Sequence, residues 1–220
     1  MRQPALLLPI AFALGAAILV PGRGAQAEPT AITVCQAISQ PGSYKLVNNL
    51  TGPSVGVCLF IATDFVTIDL AGFTINGGPG ATGILAGKSA GIAVRNGSIS
   101  GFFSGVLLGG SGSIIEGLRV VGFGDGIDAH GIVRGNTVLD VRDTGIIATG
   151  TVTGNDVSNT GVGFHIGQGS TVIGNTATDN AQIGIQADCP SNLTDNTAVN
   201  NGTNLVLNGD DCHNEDNVAP

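Results

Sequence analysis

Apolar residues alternate with small or polar ones along most of this chain. In Gly161-Val162-Gly163-Phe164-His165-Ile166-Gly167 every second residue is large and apolar, the period of a half-buried strand. Such runs are short, end in glycine, asparagine or aspartate, and none carries a helical period. A glycine or asparagine followed by an aliphatic residue opens them at Gly83-Ile84, Gly105-Val106, Gly126-Ile127, Gly145-Ile146, Gly161-Val162, Gly184-Ile185 and Asn204-Leu205, in steps of 22, 21, 19, 16, 23 and 20. A second marker, Asn136, Asn155, Asn175 and Asn196, steps by 19, 20 and 21. Four residues after each stands Asp140, Asn159, Asp179 or Asn200, and three before each stands Val133, Val152, Val172 or Leu193.

Markers in phase over several periods mean a repeat architecture. A coil of two or three short strands cannot bury its apolar face alone. Stacked coils place every strand in a parallel sheet and close one continuous core. The expected fold is therefore all-β: a single-domain parallel β-helix of roughly eight short coils, with a cap segment over 28–56 and the repeat domain with its C-terminal cap over 57–220. The leucine spacing and helix of leucine-rich repeats are missing. Asn136, Asn155, Asn175 and Asn196 are expected to form a structural ladder, because an inward asparagine can satisfy a turn's unpaired backbone groups and bond the asparagine one coil away. The column from Asp140 to Asn200 is expected to be a series of Asx turns.

The stretch Val66-Thr67-Ile68-Asp69-Leu70-Ala71-Gly72-Phe73-Thr74-Ile75-Asn76-Gly77, with the coil length and the asparagine column, resembles the right-handed parallel β-helix superfamily of pectate lyases and polygalacturonases. The resemblance covers about residues 45 to 218. It implies right-handed coils and a substrate groove across an exposed sheet face. The catalytic aspartate motifs of polygalacturonases have no aligned counterpart here, and His130-Gly131 is too short to carry over. Calcium-binding nonapeptide repeats are a poor match, since Gly77-Gly78-Pro79-Gly80 lacks the following aspartate.

The first residues belong to a different signal. Met1-Arg2, an apolar run from Ala5 to Val20 and Ala25-Gln26-Ala27 predict a secretory signal peptide over 1–27; the run is short of the ~20 residues that span a bilayer. No later stretch resembles a transmembrane segment. The expected location is extracytoplasmic, periplasmic or secreted. In an oxidising compartment four cysteines suggest disulfides. Three connectivities are possible, but Cys35 and Cys58 are 23 apart and so are Cys189 and Cys212, which favours those two pairs. Neighbouring coils ~4.8 Å apart suit a disulfide's Cα separation of ~4.4–6.8 Å, so both pairs would staple the ends. Neither has the spacing of a zinc or redox site.

Composition narrows the function. Hydrophobic residues at 42% argue against disorder. A net charge of −8 disfavours nucleic acid and anionic membranes as partners. Loss of Arg2 and Arg23 with the leader leaves six basic residues against sixteen acidic, or −10.

Alternation also assigns the outward side chains. The first outward position on successive strands reads Leu85, Leu107, Asp128, Ile147, His165, Gln186 and Val206, and the next reads Gly87, Gly109, His130, Thr149, Gly167, Asp188 and Asn208. This makes Asp128, His130 and His165 the candidate catalytic residues, with Thr149, Gln186 and Asp188 as candidate ligand contacts. Geometry weighs against turnover. Asp128 and Asp188 stand three coils apart, ~14 Å, whereas glycosidase pairs need ~5–9.5 Å. No arginine or lysine falls on this face. The leading expectation is a non-catalytic structural or glycan-binding surface, whose partner is a polysaccharide or cell-surface glycan. The alternatives are a polysaccharide lyase, hydrolase or epimerase, and a metal-handling protein built on His130, His165 and the acidic tail Asp210–Asp216. No cofactor is expected; calcium at the tail is possible but has no motif.

Overall fold

The computed structural model describes residues 28–220, so the leader expected over 1–27 lies outside the described residues. Every regular element described is a strand, and the strands pair in parallel. No helix among the described residues is long and apolar enough to cross a membrane.

The pairings run as three ladders that share the sides of one solenoid. Sheet A stacks Gln36–Ile38, Val55–Ile61, Gly80–Ala86, the opening parts of Ser104–Val121, Asp125–Arg134 and Thr144–Thr153, then Val162–Ile166, Ile183–Asp188 and Thr203–Asn208. Sheet B runs from Thr30–Ile32 through Gly42–Leu46 and Val66–Asp69 to Asn192–Thr194 and His213–Glu215. Sheet C runs from Leu50–Thr51 and Thr74–Asn76 to Thr176–Thr178 and Thr197–Val199. The solenoid has about nine turns, one more than the roughly eight expected. The extra turn comes from the segment 28–56: its strands Thr30–Ile32 and Gln36–Ile38 join the same ladders as the repeats.

One marker sits two residues away from its expected place. Ile146 pairs with Phe164 and Phe164 with Ile185, so Gly163-Phe164, not Gly161-Val162, continues the column, and the irregular steps of 16 and 23 become 18 and 21. The glycine of this marker is a matter of room. A Cβ on Gly126 would lie 2.4 Å from the carbonyl oxygen of Gly145 in the next coil.

Alternation carries the inward residues into one core. Val133, Val152, Val172 and Leu193 stand in register on sheet B with no exposed surface, each contributing ~1.5–3 kcal/mol of burial. The corners between sheets need another device, since a turn leaves buried backbone groups unpaired. From Asn96 onward the chain enters the left-handed region once per coil between sheets B and C, at Asn96, Gly117, Gly135, Gly154, Gly174, Asp195 and Asp216, with φ from 53° to 63°. Glycine, asparagine and aspartate tolerate that region. The next residue in the later coils is the buried asparagine. The Nδ2 of Asn136, Asn155, Asn175 and Asn196 donates to the Oδ1 of the next asparagine at 2.8–3.0 Å, and the column ends on Asn217. Each amide also donates to a carbonyl of the preceding coil, as Asn155 does to Val133 at 2.9 Å.

Asp140, Asn159, Asp179 and Asn200 are exposed, and each has φ between 54° and 59°. They supply the left-handed residue of the corner between sheets C and A. The polar work there falls to the next residues, where Thr160, Asn180 and Asn201 form a second inward ladder that ends on Asn204. Both disulfides expected from spacing are present. Cys35 pairs with Cys58 across 4.6 Å between Cα atoms, and Cys189 with Cys212 across 4.9 Å. They clamp the first and last coils, where a solenoid exposes its core.

Candidate functional site

The outward column of sheet A holds the residues read from alternation. Leu85, Leu107, Asp128, Ile147, His165, Gln186 and Val206 pair in unbroken register. Register also pairs His130 with Thr149, and Asp188 with Asn208. Two groups result. Around Asp128 the neighbours on adjacent coils are Leu107 and Ile147, both aliphatic. Burial among them pushes the Asp128 carboxyl above its ordinary 3.8, while His130 on the same strand pulls it down and Asp125 raises it. Asp125 is occupied elsewhere: its Oδ1 accepts the Thr144 N–H at 3.0 Å.

The second group lies further along the axis. His165 Nε2 stands 4.0 Å from Asp188 Oδ2 on the next coil. The other oxygen of Asp188 accepts the Asn208 Nδ2 at 3.0 Å. Gly167, just past the His165 strand, has no side chain to separate this pair from Thr149, and a Cβ there would lie 2.3 Å from Thr149 Oγ1. Thr149, His165 and Asp188 are therefore neighbours, whereas Asp128 belongs to a separate patch. The three candidate catalytic residues are not brought into one constellation. Asp128 and Asp188 keep their three-coil separation.

The column extends beyond the Gly-aliphatic markers, which start at Gly83, to two earlier outward residues. Phe60 pairs with Leu85 in the same column, with 42% of its surface exposed, and the column starts one coil earlier at Ala37. The signal was present, because Cys58-Leu59 takes the place of the Gly-aliphatic marker in that coil. The face is thus aromatic and aliphatic at Phe60, Leu85 and Leu107 and gathers polar groups at His165, Gln186 and Asp188, with Ile147 before them and Val206 beyond. Clefts of about 710 and 510 Å³ open on other surfaces, lined respectively by Lys45, Asp69 and Arg95 and by Glu116, Arg134 and Thr153 among others. The acidic tail is built as the last strand of sheet B, where His213 Nε2 lies 3.2 Å from Glu215 Oε2. Among the described residues no three histidine, cysteine, aspartate or glutamate side chains converge as metal ligands would.

No curated protein and no solved structure matches this chain. Residues 82–218 match the family model described as the right-handed β-helix region. Matched over more than half its length and built as a parallel solenoid throughout the described residues, the chain belongs to that right-handed β-helix family.

Proposed function

We propose that the chain acts outside the cytoplasm as a non-catalytic glycan-binding surface, with the outer face of sheet A as its contact. The observation that carries this reading is the mixed strip on that face. Phe60, Leu85 and Leu107 offer flat apolar area to the faces of sugar rings, which aromatic side chains favour. His165, Gln186 and Asp188 offer donors and acceptors to hydroxyl groups. The coils are too short to raise walls around the strip, so ligand is held without being enclosed. Its test is a glycan array with the purified protein, run beside a depolymerisation assay on the same polymers. Binding without cleavage is expected, and Phe60→Ala and His165→Ala should each weaken it by about tenfold, one lost contact of ~1.4 kcal/mol. Saturable turnover of any polymer would overturn the reading.

One observation favours an enzyme instead. The raised carboxyl of Asp128 is what a general acid needs. Its weakness is the partner: Asp188 stands three coils away, beyond the ~5–9.5 Å of a glycosidase pair, and Asp125 is held by the Thr144 N–H. If turnover is found, Asp128→Asn should abolish it; unchanged turnover would remove Asp128 from the chemistry.

A further inference from the structure

We propose that the outer face of sheet B is an interface at which two copies of this chain pack antiparallel against each other. Lys45, Asp69, Arg95, Glu116 and Arg134 occupy one outward column on five successive coils, in register throughout. Their signs alternate without a break. Arg95 Nε lies 3.4 Å from Asp69 Oδ2, and Arg134 Nε donates to Glu116 Oε2 at 2.7 Å. These contacts use one carboxylate oxygen each and leave most guanidinium N–H groups free. Two residues earlier on the same strands, Ala93, Ile114 and Ile132 form a half-buried aliphatic column beside the charges.

The order of charges selects the partner. Read from either end the column is plus, minus, plus, minus, plus, so it is complementary to a reversed copy of itself displaced by one coil. A two-fold axis lying across the face reverses the column and keeps it opposite its own kind, as an isologous interface requires. Displacement by one coil, in either direction, brings four opposite-sign pairs together. The one that overlaps more coils sets Arg95 against the partner's Glu116 and Asp69 against the partner's Arg134. It also sets Ala93 against the partner's Ile114, giving an aliphatic centre beside a charged rim. The rest of the chain is acidic, at −8 overall, so two copies repel least where three cations stand with two anions. The overlap spans eight coils, ~38 Å by strand spacing, and strands of three to four residues are ~10–13 Å wide. That footprint of roughly 400–500 Å² is below the ~800 Å² per partner of a standard interface, so the dimer is weak and depends on concentration.

Sedimentation of the purified protein up to millimolar concentration tests this. A monomer–dimer equilibrium is expected. Arg95→Glu and Glu116→Arg, each alone, place like charges together twice and should leave monomers. An equimolar mixture of the two variants restores both pairs and should dimerise again. The alternative displacement, Arg95 against the partner's Asp69, would not be rescued by this mixture. Arg95→Gln and Glu116→Gln, which only remove charge, should weaken the dimer by about tenfold or more and guard against misfolding of the reversed variants. A parent that stays monomeric at every concentration, or single variants that dimerise like the parent, would overturn the proposal.

Discussion

The first four coils and the last five solve the same packing problem in different ways. In the early coils the corner between sheets C and A is filled by the fully buried ring of Phe102. Glycines make room for it: a Cβ on Gly77 would fall 2.0 Å from the ring, and one on Gly52 would fall 2.8 Å from it. In the later coils Thr160, Asn180 and Asn201 stand at the equivalent corner, and asparagines also fill the corner between sheets B and C. An apolar plug fits only the cavity made for it, whereas an amide ladder bonds one coil to the next and favours identical coils. The lengths follow. Phe60 to Leu85 is 25 residues, while Ile147 to His165 is 18. Surface chemistry changes near the same place: the early coils are apolar on sheet A and charged on sheet B as far as Arg134, and the later ones set His165 and Gln186 between Ile147 and Val206 on sheet A and carry Thr153, Ile173 and Thr194 where the charges stood.

Breaking the later device should cost most. Asn155→Ala removes the acceptor of the Asn136 N–H and the donor to the Val133 carbonyl, both buried. Each orphaned group costs about 1–3 kcal/mol, so a loss of about 2–6 kcal/mol is expected in chemical denaturation. Asn217→Ala, at the exposed end of the same ladder, should cost far less. Equal losses would mean the ladder is not cooperative. In the early coils Phe102→Ala should cost about 3–5 kcal/mol by emptying its corner. Adding Gly77→Ala should recover part of that loss, because the new methyl enters the space the ring has left; on the parent the same change should destabilise.

The contrast explains what could be read from the residues alone. Ladders were legible where one coil's chemistry demands the same of the next. Asn136, Asn155, Asn175 and Asn196 recur for that reason, and the outward positions of Asp128, His165 and Asp188 follow from counting by two beside them. Where identity changes down a column, the column disappears from view. Val141, Thr160 and Asn180 share one corner but no residue type. The charged column was hidden for a second reason: Lys45, Asp69, Arg95 and Glu116 are separated by 24, 26 and 21 residues, in coils too unequal for a marker to keep phase. Function was harder still, because the repeat chemistry that reveals the fold says nothing about what touches it.

The disulfides sharpen the comparison at its two ends. Each closes a loop of 23 residues' separation, worth ~3 kcal/mol in the chain-entropy estimate. Because solenoid stability is a sum of neighbour terms, reduction should fray the ends first. Hydrogen exchange after reduction should rise near Leu193 and Val206 while Val133 and Val152 stay protected. Uniform loss of protection would show that the two halves unfold as one unit.

The smallest effect sits near the boundary between the halves, at Asp128. Its carboxyl is raised above 3.8, by burial first. Between 3.8 and the raised value the folded chain keeps a proton that the unfolded chain has lost, so stability falls as pH rises through that window and stays lower above it. Asp128→Asn should therefore stabilise the protein slightly at neutral pH, and the gain should vanish below pH 3.8. His130 works against the shift, since its positive form favours the carboxylate; His130→Ala should widen the window upward. Thermal melts of the parent and both variants between pH 3 and pH 8 read these differences. A parent whose stability rises steadily across that range while the Asn variant's does not would show that Asp128 is better solvated than its aliphatic neighbours imply, and that the polar end of sheet A begins one coil earlier.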